Sequence, residues 1–423
     1  MEPINPYILI IAVCIIVILS HQFNWISKVT NIPSVLLLVL LGIGIRIGLD
    51  YFNIGITKYL MDILVIIGII GLIMIVLEAA LELEITKEKV PLIVKSFFLA
   101  LVSLGFCISF ISYVLYYWLI DDLFSAILYS VPISVVSSAI VIPSVGGLIK
   151  RSKELLIYES TFSDILGIMV FFYLLSSVEK TSVNEVVVSI SVNIIITLLI
   201  SFFAGYVMVL LLEKLKSQVK LFLLIAVLVL LYSVGKLLHF SSLIMILIFG
   251  IILNNSQIFF AGKFKKLVKL ESLKVIQNDF HVLTMESAFF IRTFFFVIFG
   301  MTIELKSLID EKAALISIMI VAGIFVIRFI LLKLFLVKRL LPELFISPRG
   351  LITILLFFSI PASNQNSDFN NGIILYIILI TNVIMAISLM IKSKDLEYSE
   401  KLNFDDWDEL DREIGELEQK NKS

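Results

Sequence analysis

Thirteen stretches of this chain are predominantly apolar over about 15–28 residues, around the 17–25 that a helix needs to cross the hydrocarbon of a bilayer. That leaves little choice of fold, because inside lipid every backbone N–H and C=O must find a partner within the protein. Helices achieve this segment by segment. The expected class is an all-α polytopic membrane protein with spans at 6–22, 33–49, 60–81, 93–119, 124–148, 154–178, 185–212, 219–237, 240–254, 280–302, 312–335, 342–361 and 371–391. Two of these are not expected to be single rods. Pro132 and Pro143 interrupt the fifth, and Pro348-Arg349-Gly350 sits inside the twelfth.

Basic residues gather on alternate loops, among them Lys87 and Lys89, then Lys150, Arg151 and Lys153, then Lys214, Lys216 and Lys220. The same side receives Lys263, Lys265, Lys266 and Lys269, and later Lys338, Arg339, Lys392 and Lys394. By the positive-inside rule that side is cytoplasmic, which puts the N-terminus outside and the C-terminus inside. The first apolar run lacks a basic flank and is expected to be a span rather than a cleaved leader. Residues 1–393 then form one membrane domain, and 394–423 a short acidic cytoplasmic tail.

Only 16% of residues are charged and mean hydropathy is +1.08, which rules out an ordinary soluble domain. Cys14 and Cys107 both lie in apolar runs, and His21, His239 and His281 are scattered without ligand spacing. Neither a disulfide framework, a resident metal or cofactor, nor a nucleophile–base pair is expected, and so no catalytic residues. The tail is too short for a nucleotide-binding module, and no nucleic-acid-binding pattern occurs.

Three pairs of spans resemble each other at an offset of seven. Pro33–Gly42 matches Ser241–Gly250 in spacing, A-L-E-L (Ala80–Leu83) matches T-I-E-L (Thr302–Leu305), and the two proline-broken spans correspond. An odd offset inverts the second copy in the membrane, the arrangement of secondary transporters with a midplane site between interrupted helices.

The charges inside the spans are few. Tyr158–Gly167, Y-E-S-T-F-S-D-I-L-G, carries two acids and three hydroxyls in a run otherwise fit for lipid. A charge at that depth costs about 3 kcal/mol or more, so such acids mark an ion or proton path, or else a structural ion pair. On a helix Glu159 lies above Ser163, Ser160 above Asp164, and the two acids stand about 140° apart. In span five, Ser137 and Ser138 offer hydroxyls, and an unwound stretch before Pro143 would free carbonyls for an alkali cation. Arg328 in span eleven needs an acid inside the bundle: Glu159 is the first choice and Glu78 the second. Arg349 is expected to offset the dipoles of an interrupted helix. Glu286 and Arg292, six apart in span ten, fall on different faces and are not expected to pair with each other.

These motifs resemble the monovalent cation:proton antiporter family, especially its sodium/proton exchanger branch. The likeness runs from about Pro33 to Ile391 and rests on E-S-T-F-S-D, on P-R-G-L-I-T-I-L-L, and more weakly on V-L-E-A-A-L-E-L and F-F-F-V-I-F-G-M-T-I-E-L. The resemblance implies an inverted-repeat antiporter fold with two crossing, interrupted helices. It implies Asp164 as carrier of a proton or monovalent cation, with Ser160, Ser163, Ser137 and Ser138 around it, and a Glu159–Arg328 salt bridge beside it. Arg349, Glu78, Arg292 and Glu286 are supporting charges. It further implies a homodimer built on a scaffold, and an elevator-like shift of a core made from 93–178 and 312–391. Two positions depart from the branch: Ser163 stands where Asn is usual, and Ser137-Ser138-Ala139 replaces its Thr-Asp-Pro, closer to the potassium-efflux branch.

The expected function is exchange of Na⁺ for H⁺ at one buried Asp, electroneutral because the site is Ser-Asp rather than Asp-Asp. The alternative is a K⁺/H⁺ exchanger or K⁺ efflux channel of the same fold. The expected partners are the cation, the proton, the lipid of a plasma (inner) membrane and a second copy of the chain.

Overall fold

A computed structural model of the chain describes residues 6–30, 32–51, 57–83, 85–86, 88–176, 199–210, 220–237, 242–260, 270–303, 310–335, 340–361, 364–366 and 369–391. These residues are helical, with no strand among them. In chain order they form α1 (Pro6–Thr30), α2 (Ser34–Tyr51), α3 (Thr57–Glu82), α4 (Val90–Trp118), α5 (Leu123–Ser134), α6 (Ser138–Ser144), α7 (Lys150–Ser176) and α8 (Leu199–Leu210). Then come α9 (Lys220–Leu237), α10 (Ser242–Asn254), the single turn α11 (Ser256–Phe259), α12 (Leu270–Thr302), α13 (Glu311–Phe335), α14 (Leu351–Phe358) and α15 (Gly372–Ile391).

Eight helical segments among the described residues are long and apolar enough to cross a membrane, and three shorter apolar helices accompany them. The expected count of thirteen also drew on stretches outside the described residues, chiefly 177–198. The acidic tail 394–423 and the loops carrying Lys214, Lys216, Lys263, Lys265, Lys266, Lys269, Lys338 and Arg339 lie outside them too.

Two sets of helices pack mainly among themselves. In one, α12 runs along α2 and α3, α10 lies against α3 and α9, and α1 covers α2 and α12. In the other, α4 holds α5, α7 and α13, α5 and α6 lie on α7, and α14 packs on α5 and α7. The sets meet where α3 touches α7 and α14, and where α12 touches α14.

The interruptions fall where expected, before Pro143 and around Pro348-Arg349-Gly350, and differ from the expectation in form. Pro132 and Pro143 both sit inside helices, α5 and α6, and the chain unwinds between them, at Val135–Ser137. Val135 and Ser137 have extended backbones, with ψ of 131° and 110°. A proline removes its own N–H but tolerates a helix when another donor serves the freed carbonyl, so neither proline is where the rod breaks. In span twelve the half before the break is only a 3₁₀ turn, Glu343–Phe345, and Ile346–Gly350 runs without helix into α14. Span ten starts earlier than hydropathy indicates, because the polar Leu270–Asp279 stretch continues the same helix below the apolar part.

Outside the spans, polar caps fix the helix starts. The Asp122 carboxylate accepts from Ser125 N at 2.7 Å, and this bonding holds its carboxyl below the usual range. Asp310 accepts from Asn370 Nδ2 at 2.7 Å, which likewise lowers its pKa and ties the start of α13 to that of α15.

The inverted repeat is visible in the packing. Gly42 of α2 lies against the Val297 carbonyl and Gly300 of α12, while its counterpart Gly250 of α10 lies against Leu77 and Ala80 of α3. Each glycine seats on a helix of the opposite half, in the close approach that small residues permit within membranes. A Cβ at Gly42 would stand 2.9 Å from Gly300 Cα and closer still to the Val297 carbonyl oxygen, whereas at Gly44 it would meet nothing within 4 Å. Gly42→Ala should therefore destabilise the purified protein by about 1–3 kcal/mol, seen as a lowered unfolding temperature in detergent. Gly44→Ala should leave that temperature unchanged or raise it slightly; equal effects of the two would refute the contact.

Candidate functional site

Unwinding at Val135–Ser137 leaves three successive backbone N–H groups that no helix serves, and each finds a different partner. Val136 N donates to Ser163 Oγ at 2.9 Å, Ser137 N to the Pro348 carbonyl at 3.0 Å, and Ser138 N to Asp164 Oδ2 at 3.0 Å. The Ser138 hydroxyl also donates to Asp164 Oδ2. Ser163 and Asp164 are neighbours on α7, so one turn of that helix receives two of the three groups. The third bond ties the two unwound segments to each other at their crossing.

Asp164 thus lies against the first turn of α6, where unsatisfied N–H groups favour negative charge. Only one of its oxygens is used: Oδ1 is buried without a hydrogen-bond partner, and so is the Ser137 hydroxyl on the adjoining break. Ser160 is buried on α7, but its hydroxyl donates to the Ile157 carbonyl of its own helix at 3.1 Å. Of the four hydroxyls expected around the carboxylate, Ser138 bonds it, Ser163 bonds the adjacent backbone, Ser137 is unengaged and Ser160 is turned to its own helix.

Two buried arginines frame the site. Arg328 of α13, 3% exposed, grips Glu159 with Nη1–Oε1 at 2.6 Å and Nη2–Oε2 at 3.1 Å. Its Nε donates to the Glu343 carbonyl at 3.1 Å. This parallel, two-bond geometry is what a planar guanidinium offers a carboxylate and an ammonium does not. Arg349, 1% exposed, is held by oxygens of another kind. Nε donates to Ile133 O at 2.8 Å, Nη2 to Ser134 O at 3.2 Å, and Nη1 to the Ser347 carbonyl and hydroxyl at 2.7 and 2.6 Å. Ile133 and Ser134 end α5, so the cation sits on that helix's exposed carbonyls, the negative end of its dipole. Arg349 N in turn donates to Thr381 Oγ1 at 3.2 Å, and Asn382 Nδ2 donates to Arg349 O at 2.8 Å.

The supporting charges divide. Arg292 of α12 bonds Glu78 of α3 at 3.2 Å, so Glu78, the second choice for Arg328, has its own cation. Glu286 does not join this group: it is exposed on α12 because its position in the helix turns it away from the face that carries Arg292.

Three residues of the site were not anticipated. Glu343 is a buried acid whose Oε1 accepts from Ser152 Oγ at 2.5 Å. Thr381 and Asn382 brace the second break from α15. In the sequence each was visible as polarity within an apolar run, L-P-E-L-F and I-T-N-V, but nothing local linked them to Arg349. Among the described residues no cluster of three or more His, Cys, Asp or Glu could hold a metal ion. The chemistry available is that of one carboxylate, half engaged and half free, beside a free hydroxyl and unwound backbone.

The family described as "Sodium/hydrogen exchanger, transmembrane" matches residues 8–392 of the chain. Among solved structures, the sodium proton antiporter MjNhaP1 from Methanocaldococcus jannaschii at pH 8 is similar, with a TM-score of 0.66 at 18% identity over 93% of this chain and 100% of that one. An electron-microscopy structure of the same antiporter gives a TM-score of 0.63 at 19% identity, covering 92% and 96% of the two chains. At such identity the likeness is one of fold. No curated protein sequence matches the chain.

The Glu159–Arg328 pair makes a prediction about stability. Removing either member strands the other as a buried charge, so Glu159→Leu and Arg328→Leu should each cost about 3–5 kcal/mol. The double variant Glu159→Gln/Arg328→Met removes both charges and should recover most of that loss. Thermal unfolding of the detergent-solubilised protein distinguishes the cases; a double variant as unstable as either single one would exclude this account.

Proposed function

The chain belongs to the sodium/hydrogen exchanger family of integral membrane antiporters, and from that premise we propose that it exchanges a monovalent cation, Na⁺ foremost, for a proton at Asp164. The observation that carries this reading is the unpaired Asp164 Oδ1, buried beside the unengaged Ser137 hydroxyl at a break in the helix. A lone carboxylate kept from water is costly to leave bare, so it holds either a proton or a cation. The two occupants exclude each other. That competition couples the fluxes, provided the site opens to one side at a time.

The cation is the cargo, and oxygens suit it: a carboxylate, a hydroxyl and carbonyls freed by unwinding. Asp164 Oδ1 and Ser137 are the residues we assign to direct contact. Ser138 orients the carboxylate through Oδ2, and Ser163 holds the break open by accepting from Val136. Glu159 and Arg328 neutralise each other and take no part in the exchange. One charge then replaces one, and transport is electroneutral. The moving body in this reading is the set α4–α7 with α13–α15, shifting against the rest in an elevator-like step. The chain would act as a homodimer in the plasma (inner) membrane with its C-terminus cytoplasmic.

Reconstituted vesicles test the assignment. Asp164→Asn should reduce cation-driven dissipation of a pH gradient to the level of protein-free vesicles, with Na⁺, Li⁺ and K⁺ supplied in separate trials. Residual exchange in that variant would remove Asp164 from the role, and flux with K⁺ alone would make the chain a potassium exchanger, in keeping with its Ser137-Ser138-Ala139. For the stoichiometry, the rate should not respond to an imposed membrane potential; a rate that follows the potential would rule out one-for-one exchange.

A further inference from the structure

Pro143 lies four residues after Ala139 in α6, the distance at which a helical N–H would serve the Ala139 carbonyl. Proline has no N–H, so that carbonyl must find its donor elsewhere. It finds Arg292, whose Nη1 donates to Ala139 O at 2.9 Å. Nη2 of the same guanidinium donates to both Glu78 carboxylate oxygens, at 3.2 and 3.3 Å. Arg292 stands on α12 and Glu78 on α3, in one set of helices, whereas Ala139 belongs to the other.

The surrounding boundary is of a different kind. Val76 of α3 and Leu243 and Ile244 of α10 face Ile165, Ile168 and Met169 of α7 around a small apolar cavity. Contacts of that sort have no fixed register, while a charge-assisted bond to a carbonyl does. The Arg292 guanidinium is also less completely held than those of Arg328 and Arg349, since its Nε is buried without a partner.

We propose that Arg292 is a conformational latch: Glu78 keeps it on the α3–α12 side, and the Ala139 carbonyl, freed by Pro143, is the receptor it releases when the site changes sides. This rests on the proposal that α4–α7 and α13–α15 move as a body against the rest. The Arg292–Glu78 bonds lie within one body and survive the movement; the Arg292–Ala139 bond crosses the boundary and breaks. The latch weights the equilibrium toward the conformation described and acts as a positioning device, without touching the cation. Its loss should shift the two populations on the order of tenfold, the worth of one hydrogen bond to a charged group.

Two variants attack the contact from opposite partners. Arg292→Gln removes the cation, and Pro143→Ala supplies a helical N–H that competes for the Ala139 carbonyl. The population is read without transport, from the rate at which a Val76→Cys/Ile168→Cys pair is bridged by Hg²⁺ in full-length protein carrying Cys14→Ser and Cys107→Ser. Each variant should slow bridging, by at most about tenfold, and the two together should slow it no further than the stronger alone. In vesicles both should change the maximal exchange rate, and both should move the half-saturating cation concentration on a given side in the same direction, because the fraction of protein open to that side has changed. Unaltered bridging in Pro143→Ala would overturn the latch even if Arg292→Gln failed to fold, and independent, multiplying effects would overturn it too. Failure of the exchange assignment appears separately, as transport that survives Asp164→Asn, and leaves the bridging result intact.

Discussion

Three consecutive N–H groups, on Val136, Ser137 and Ser138, determine how this protein is put together. In hydrocarbon an unwound stretch is possible only if other parts of the protein bond its backbone, and here the partners come from two places. Ser163 and Asp164 come from α7, and Pro348 from the second unwound stretch. The carbonyl side of the same break is served by Arg349 through Ile133 and Ser134. Because the arginine belongs to the second break, each interruption supplies what the other lacks. Neither would be stable alone. The carboxylate at the centre is thus first a structural acceptor, and it is available for chemistry because only one of its oxygens is committed.

The three arginines, two buried and one partly buried, follow a common logic with different partners. Arg328 meets a full negative charge, Arg349 meets helix-end carbonyls, and Arg292 meets both a carboxylate and a proline-freed carbonyl. The planar fork distributes several bonds in fixed directions, which lets a single side chain satisfy two elements at once. In each case the guanidinium stands where the backbone or an acid has been left short of donors. Placing the charge elsewhere in the spans would incur the desolvation cost without that return.

Much of this was legible in the sequence, and the reason differs by residue. Span positions follow from hydropathy because lipid imposes a length. The meeting of Glu159 with Arg328 follows from scarcity, since an unpaired guanidinium at that depth is improbable and few acids were available. The prolines were legible in part. The break expected before Pro143 is there, at Val135, Val136 and Ser137, but neither proline lies in it. A proline deletes a donor one turn ahead of a carbonyl rather than unwinding the chain at its own position, so Pro143 marks the Ala139 carbonyl. The bracing by Thr381 and Asn382 depends on which spans adjoin, and no spacing within one segment encodes that.

The distribution of polar contacts supports the proposed division into a moving and a stationary body. Apart from the bond from Arg292 to Ala139, the hydrogen bonds described around the two breaks join α5, α6, α7, α13, α14, α15 or the unwound stretches to one another, so separating any of these would strand a buried donor or acceptor. Buried groups left unpaired cost about 1–3 kcal/mol each, and several would be lost together. Between α3 or α10 and α7 the lining is Val, Ile, Leu and Met, where sliding exchanges one apolar contact for another and strands nothing. Motion should therefore follow the apolar boundary and keep the polar cluster whole. In the proposed movement the carboxylate, its orienting Ser138 and the ion pair beside it would travel together, and the site's chemistry would stay the same on both sides of the membrane. Arg292, the guanidinium that bridges this boundary among the described residues, would then be where the energy difference between the two proposed conformations is most open to adjustment.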